Sequence, residues 1–264
     1  MRAAGDTAAE NGWLIWNQGG SGDDVETAHP GHVISVLTPT SRYMEPFLAH
    51  LAAQAELSLA LRIAHGRGRF GRQVAGGAER YAKQLGFAHV RMGPVDEILT
   101  DDAPDDWNLI TAGTFEDDTK AVIRARKLSK PPQVTCAIAA GVREFSSALH
   151  DPEGTFGIAQ WFLGCNHAAQ VGPCERDFLD AYRRPAPEPP DYPAVQAAAT
   201  ASLAAHCARQ TSQPDRSRLW GAATALETST LYGAFKIDMN TGAQVSHRTV
   251  LTRWIDGELT HISP

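Results

Sequence analysis

The sequence lacks any long apolar run and any excess of positive charge. Its 264 residues contain no stretch of about 18 apolar side chains, the length that a membrane-spanning helix needs. The opening residues, MRAAGDTAAENG, have no apolar core and therefore predict no export signal there. With 24 Lys and Arg against 30 Asp and Glu, the formal net charge is −6. This acidic balance argues against a nucleic-acid partner or an anionic membrane surface.

Cysteine is also scarce, with four residues in the chain. Cys165 and Cys174 share one loop, where they would form a disulfide in an oxidising compartment or stay reduced elsewhere. Cys136 and Cys207 lie in apolar segments, where small buried thiols are common. His167 stands between the two loop cysteines, but the spacing does not match a zinc site, so no metal is predicted.

Short apolar strands alternate with helical segments along the first 150 residues. The predicted strands are 13–16, 32–37, 57–63, 88–92, one that ends at Gly113, and 134–140. The predicted helices are 43–55, one ending at residue 85 with Gly86 as its C-cap, 116–128 and 142–149. This alternation predicts an α/β fold with parallel βαβ units. Such sheets bind ligands at the carboxyl ends of their strands.

The pattern changes after residue 151. A short strand at 157–162 precedes three predicted helices, at 174–182, 192–209 and 215–226. The Pro-rich segment 185–190 predicts an extended spacer. The C-terminal segment predicts a β-hairpin that turns at Asp256 and Gly257.

Two segments of the last third resemble a known family. They are the helix DYPAVQAAATASLAAHCARQ and the later stretch LYGAFKIDMNTGAQVSHRTVLTRWIDGEL. Both resemble the type 1 periplasmic solute-binding proteins of the branched-chain amino acid (Leu/Ile/Val) ABC-transporter family. The resemblance implies two doubly wound Rossmann-like lobes, the periplasmic-binding-protein-like I fold. Lobe I would comprise 1–38 and 155–243 and lack its N-terminal part, and lobe II would comprise 39–154 and 244–264.

The resemblance also implies a function without catalysis or a cofactor. The chain would capture a small amino-acid-like, carboxylate or amide ligand in a cleft between the lobes, for delivery to the permease subunits of an ABC importer. A ligand-sensing regulatory domain of the same fold is the alternative. The family implies a periplasmic or extracellular location, and a cytoplasmic location stays open because no export signal is visible.

The resemblance places seven residues at the ligand. Gly20 and Ser21 would hold a ligand carboxylate through main-chain amides and a hydroxyl. Phe70 would supply an aromatic contact without the hydroxyl of the family's Tyr. Ile138 stands where the family places the acid that pairs with an ammonium group, so an ordinary amino acid is disfavoured. The full predicted set is Asn17, Gly20, Ser21, Phe70, Thr114, Phe115 and Ile138.

A competing motif is Gly66-x-Gly68-x-x-Gly71, which has the spacing of a dinucleotide-binding fingerprint. It follows a predicted strand and opens a helix, and Asp96 stands where a ribose-binding acid is expected. The motif would make the chain an NAD-dependent enzyme. The alternative is a tight turn between a strand and a helix.

Overall fold

The computed structural model describes residues 1–20, 22–54, 56–165, 168–184 and 188–262. The chain divides into two compact units. Unit 1 comprises Met1–Pro39 and Gln160–Arg248, and unit 2 comprises Thr40–Ala159 and Thr249–Pro264. Among the described residues, none of the helices is both long enough and apolar enough to cross a membrane.

Strands and helices are numbered along the whole chain. The strands are β1 (Ile15–Asn17), β2 (Val33–Ser35), β3 (Ala60–His65), β4 (His89–Pro94), β5 (Trp107–Ala112), β6 (Val134–Ala137), β7 (Phe156–Ala159), β8 (Thr228–Thr230), β9 (Gly233–Phe235), β10 (Val250–Ile255) and β11 (Glu258–His261). The helices are α1 (Arg2–Asn11), α2 (Asp24–Thr27), α3 (Glu45–Ala53), α4 (Arg69–Leu85), α5 (Val95–Ile98), α6 (Phe115–Arg126), α7 (Phe145–Ala148), α8 (Glu175–Tyr182), α9 (Tyr192–Arg209) and α10 (Arg216–Ala225).

Unit 2 is organised by a sheet of seven described strands in the order β11-β10-β7-β6-β5-β3-β4. Strands β4, β3, β5, β6 and β7 run parallel, whereas β10 pairs antiparallel with β7 and β11. Helices α3 and α4 pack on one face, through residues such as Phe47 and Val74. Helices α5 and α6 cover the other face, through residues such as Ile98 and Ala121. Central strand β5 is buried along its whole length because both faces of the sheet are covered.

One buried cation sits inside this sheet. Arg62 of β3 is only 4% exposed, and its guanidinium lies 5.3 Å from the ring centroid of Trp107. It donates hydrogen bonds to the main-chain oxygens of Ile98 (2.7 Å) and Asp102 (3.1 Å). These acceptors satisfy a charge whose burial would otherwise be costly. Arg62 thereby ties β3 to the segment that follows β4.

Unit 1 has smaller sheets than unit 2, and a larger fraction of its residues lies in α-helices. Strands β1 and β2 pair in parallel, and β8 and β9 form an antiparallel pair. The long helix α9 buries Val195, Ala199, Leu203 and Cys207 at intervals of four residues, which is the spacing of one helix face. Ile34 of β2 belongs to the same core cluster.

Several elements confirm the sequence prediction. Helix α9 has the predicted bounds, and Gly86 ends α4 in the left-handed conformation (φ 89°). The C-terminal hairpin turns at Asp256 (φ 53°) and Gly257 (φ 76°) as predicted. These features depend on local signals, namely periodicity and residues that tolerate positive φ.

Other elements differ from the prediction. The first strand starts at Ile15, and Trp13, predicted to be buried, is 60% exposed. The strand predicted at 134–140 ends at Ala137, where a 3-10 turn (Ile138–Gly141) replaces it. The helix predicted at 142–149 is the single turn α7. Short buried apolar runs do not distinguish a strand from a turn by themselves.

The disulfide predicted between Cys165 and Cys174 is not present. Both residues are free thiols, and so are the buried Cys136 and Cys207. Cys174 has a different role, as the N-cap of α8, where its sulfur accepts a hydrogen bond from the amide of Asp177 (3.5 Å).

Two adjacent glycines of α4 should respond oppositely to substitution. A Cβ on Gly77 would collide with the main chain of Ser41, whereas the nearest atom to a Cβ on Gly76 is in the Arg80 side chain, 3.7 Å away. We expect Gly77→Ala to lower the free energy of unfolding by about 1–3 kcal/mol. The control Gly76→Ala should raise it by about 0.5–1 kcal/mol, because alanine favours the helix. Urea unfolding of both variants checks this, and equal effects would contradict the close approach of α4 to Ser41.

Candidate functional site

In unit 1, the loop after β1 is held by the side chain of Asn17. Its carboxamide nitrogen donates to the main-chain oxygen of Gly20 (2.7 Å), and its oxygen accepts from the Gly20 amide (2.8 Å). Asn17 is 2% exposed, so its polar groups are used within the protein. Asn17 therefore shapes the loop, and direct contact between its side chain and a ligand stays a prediction.

Two further polar side chains stand behind Asn17. Its carboxamide nitrogen also donates to the hydroxyl oxygen of Ser35 (2.7 Å), and that hydroxyl donates to a carboxylate oxygen of Glu26. Glu26 and Ser35 are both buried. Burial raises the pKa of Glu26 above its usual range, against the opposing effect of the hydrogen bond from Ser35.

The rest of the predicted anion loop is partly defined. The amide of Gly20, predicted to hold a ligand carboxylate, instead donates to the Asn17 side chain (2.8 Å). Gly20 packs against the side chain of Met1, which would have to shift to admit a Cβ at residue 20. Ser21 lies outside the described residues, so its predicted contact with a ligand carboxylate stays a prediction.

In unit 2, the other predicted residues follow three neighbouring strands. Strands β6, β5 and β3 are adjacent and parallel, so their carboxyl ends lie at one edge of the sheet. Ile138 directly follows β6, Thr114 and Phe115 follow β5, and Phe70 lies in the first turn of α4 after β3. The structure thus brings these four residues to the same end of the sheet, the end at which parallel sheets bind ligands.

The two aromatic residues are anchored by other rings. Phe70 packs edge-on against Tyr43, with 5.7 Å between ring centroids, and Phe115 packs edge-on against Phe145 at 6.5 Å. Both rings remain partly exposed. Rings that are fixed at one edge and open at another suit contact with an apolar ligand group.

Thr114 begins α6 as its N-cap. Its hydroxyl accepts from the amide of Asp117 (3.2 Å), and the Asp117 carboxylate accepts from the amide of Thr114 (3.2 Å). This reciprocal pair is a capping box. Asp117 is one of two nearby acids that could replace the missing partner of an ammonium group, and the structure gives it a capping role instead. The other, Glu116, is exposed in the first turn of α6.

Beneath Ile138 lies a buried acid, Asp118, which is 1% exposed. Its carboxylate accepts a hydrogen bond from the amide of Ala139 (3.1 Å) and so holds the turn that follows β6. Burial raises the pKa of Asp118 to about 7, although the hydrogen bond from Ala139 opposes the shift. The turn that replaces the predicted strand end therefore has a specific anchor.

Two of the three glycines of the dinucleotide-like motif have a packing role, whereas a Cβ on the third, Gly68, would meet open space. A Cβ on Gly66 would lie 2.6 Å from the Asp117 carboxylate, and one on Gly71 would collide with the main-chain oxygen of Ala112. Asp96, the proposed ribose-binding acid, forms an ion pair with Arg124 (2.7 Å). The fingerprint thus coincides with a close approach between the loops that follow β3 and β5.

Sequence reasoning missed Glu26, Ser35 and Asp118. Asp118 could have been found, because it lies on the same helix face as the apolar Ala121, Val122 and Ala125 of α6. An acid on an apolar stripe signals a buried carboxyl group with a specific partner. Glu26 and Ser35 gave no comparable signal, since their pairing spans the loop between α2 and β2.

No protein-family model matches this sequence, and no curated protein matches it. Solved structures do match at the level of the fold. A leucine-binding protein from Thermotoga maritima has a TM-score of 0.82 at 12% identity, over 99% of this chain and 75% of the other. An ABC transporter substrate-binding protein from Desulfitobacterium hafniense in complex with Leu has a TM-score of 0.79 at 16% identity, over 99% and 76%.

A third match binds a ligand of a different class. It is an ABC transporter solute-binding protein from R. palustris in complex with benzoate, with a TM-score of 0.72 at 14% identity, over 99% of this chain and 73% of the other. At such identities the likeness establishes the fold. The chain therefore has the α/β fold of type 1 periplasmic binding proteins, as the sequence predicted.

The raised pKa of Asp118 gives a prediction about stability. Between about pH 4 and pH 7 the folded protein retains a proton that the unfolded chain releases, so the stability contributed at this position is lost as the pH rises. Asp118→Asn keeps an acceptor for Ala139 and cannot ionise. We expect the stability of the variant relative to the wild type to increase by about 2–4 kcal/mol from about pH 4 to about pH 8. Urea unfolding across this range checks it, and parallel pH profiles would contradict the buried carboxyl.

Proposed function

We propose that the chain is a solute-binding protein that captures a small carboxylate-bearing molecule. The loops at the carboxyl ends of the parallel strands would form the binding surfaces. In this proposal the two compact units are the two lobes implied by the sequence resemblance. The observation that carries it is the placement of Phe70, Thr114, Phe115 and Ile138 at the ligand-binding edge of one sheet.

The solved structures of the same fold favour an acid as the ligand. Leucine and benzoate, bound in two of them, share a carboxylate group, and only leucine carries an ammonium group. In this chain, the loop after β1 would receive the carboxylate through main-chain amides, which suit an anion. Phe70 and Ile138 would contact the apolar part.

The surroundings of Ile138 disfavour an ammonium group. Asp117 is engaged in the capping box, and Glu116 is exposed. Asp118 is buried beneath the turn, and its pKa of about 7 means that it carries only a partial charge near neutral pH. A cation placed on Ile138 would lose water without gaining a full counter-charge, which is costly. The proposed ligand is therefore a carboxylate, or an amide, that lacks a cation.

The binding test begins with a thermal-shift screen of the folded protein against amino acids, carboxylates, amides and nucleotides, since a ligand of the native state raises the midpoint. Calorimetry then compares leucine with 4-methyl-2-oxopentanoate and 4-methylpentanoate. A charged hydrogen-bonded pair contributes about 2–5 kcal/mol by truncation. We expect this chain to bind leucine about 30-fold to several thousand-fold more weakly than a family member that carries the acid binds it. We also expect this chain to bind leucine more weakly than the two matched acids.

Submicromolar binding of leucine, without any gain for the oxo acid, would contradict this ligand class and point to Glu116 as the ammonium partner. Stabilisation by NAD alone, with protection of residues 57–96, would instead support the dinucleotide-binding alternative. Permease genes beside the coding sequence would support delivery to an ABC importer, whereas an in-frame regulatory domain would support a sensing role.

Phe70 provides a local test of the same surface. We expect Phe70→Ala to weaken binding of the acid identified in the screen about tenfold, because an aromatic contact contributes about 1–2 kcal/mol. Phe178→Ala is the matched control, since Phe178 is a partly buried ring in α8 of unit 1 that packs at a tilt against Tyr182. Calorimetry on variants with native-like circular dichroism measures the difference. Equal losses in the two variants would remove Phe70 from the site.

A further inference from the structure

A line of three buried polar side chains connects the interior of unit 1 to the loop after β1. Glu26 belongs to α2, Ser35 ends β2 and Asn17 ends β1. Their relative exposures are 6%, 2% and 2%. The three elements are consecutive in the chain, and the hydrogen bonds between these side chains join them at one point.

The hydrogen bonds of this line have one consistent direction. The Asn17 carboxamide donates to Ser35, and the Ser35 hydroxyl in turn donates to the Glu26 carboxylate. With its nitrogen so oriented, Asn17 presents its oxygen to the amide of Gly20. The acceptor at the far end thus fixes which way the Asn17 side chain faces.

The carboxyl group of Glu26 has no evident purpose in packing. Burial penalises its charged form, and Asp23 adds a repulsive charge. An apolar side chain of similar size would fill the same space without this cost. Glu26 is buried despite this cost, and its carboxylate accepts the hydrogen bond from Ser35 that leads to the loop after β1. The best explanation is that Glu26 orients the side chains of this loop.

We propose that Glu26, acting through Ser35, is a positioning residue that fixes the Asn17–Gly20 loop in the conformation that receives the ligand carboxylate. This inference rests on the proposed function. Neither residue touches the ligand. They act on the ligand indirectly, because they orient the Asn17 carboxamide. Asn17 in turn forms hydrogen bonds with both the amide and the carbonyl oxygen of Gly20.

The loop held in this way presents free donors. In the described part of the chain, the main-chain amides of Gln18 and Gly19 donate to no acceptor, and a Cβ on Gly19 would meet open space. The carbonyl oxygen of Asn17 accepts from the amide of Val36 (3.1 Å), which anchors the start of the loop to the segment after β2. A loop that is fixed at Asn17 and at Gly20 offers the two intervening amides to an anion without further ordering.

The first test needs no ligand. Amide hydrogen exchange at Gly20, followed by NMR, reports the hydrogen bond to Asn17. In Ser35→Ala and in Glu26→Leu we expect exchange at Gly20 to be about three- to tenfold faster than in the wild type, the net effect of losing one or two hydrogen bonds. In Glu26→Gln it should stay near the wild-type rate, because the oxygen of the introduced carboxamide still accepts from Ser35.

The matched control is Ser202→Ala, which removes a partly buried hydroxyl that donates within α9 to the main-chain oxygen of Ala198 (2.9 Å). It should leave exchange at Gly20 unchanged. Unchanged exchange in Ser35→Ala would overturn the inference. So would faster exchange throughout unit 1 in the variants, because the residues would then support the fold in general rather than the loop.

The second test is calorimetry with 4-methyl-2-oxopentanoate. Affinity should fall about three- to tenfold in Ser35→Ala and Glu26→Leu and be retained in Glu26→Gln and Ser202→Ala. Equal affinity in all variants despite faster exchange at Gly20 would overturn the link between the loop and the ligand. Absence of acid binding by the wild-type protein, with the exchange pattern as expected, would refute the proposed function while supporting the positioning of the loop.

Discussion

A parallel strand that ends inside a protein leaves main-chain groups that the neighbouring strand no longer satisfies, and the loops of the candidate site depend on how those groups are held. In unit 2 the buried carboxylate of Asp118 accepts from Ala139 in the turn after β6. In unit 1 the Asn17 side chain accepts a hydrogen bond from the Gly20 amide after β1. Asn17 also donates to Ser35, which donates to Glu26. Both solutions use a buried acid, and the hydrogen bonds that it accepts offset only part of its burial cost, since the pKa of each acid is raised.

The glycines of unit 2 follow from a second constraint, the close approach of two strand-end loops. Asp117 caps α6 and lies beside both Gly66 and Gly113, each of which would place a Cβ 2.6 Å from an atom of its side chain. Any larger residue at either position would displace the capping acid. Packing therefore accounts for the first and last glycines of the dinucleotide-like spacing, Gly66 and Gly71, but not for Gly68, whose Cβ position is open.

The sequence was informative where structure is encoded locally. The bounds of α9 follow from its periodicity, and the C-cap at Gly86 and the turn at Asp256 follow from residues that tolerate positive φ. It failed where distant residues decide the conformation. The predicted end of β6 was wrong because Asp118, on the preceding helix α6, stabilises a 3-10 turn at residues whose apolar sequence predicted a longer strand.

The candidate site also has one part that the sequence predicts and another part that it does not. Its positions at the carboxyl ends of β3, β5 and β6 could be predicted, since the alternation of strands and helices fixes which loops share an edge. The residues behind the loop after β1 could not be predicted, because Ser35 meets Asn17 only once β1 and β2 pair, and Glu26 joins them from α2.

In the proposed site, Ile138 stands where the sequence resemblance implies an acid, and this difference has two energetic consequences that act in the same direction. It removes the counter-charge that would compensate a buried ammonium group, and it adds apolar surface at which each Å² removed from water contributes about 25 cal/mol. A zwitterion loses from the first effect and gains little from the second, whereas an acid with a hydrocarbon or aromatic part avoids the loss and gains fully. Asp118 does not reverse this balance, because its burial disfavours the charged form and its carboxylate is already engaged by Ala139. Under the proposed function, the apolar surface at Ile138 would therefore favour an acid over a zwitterion.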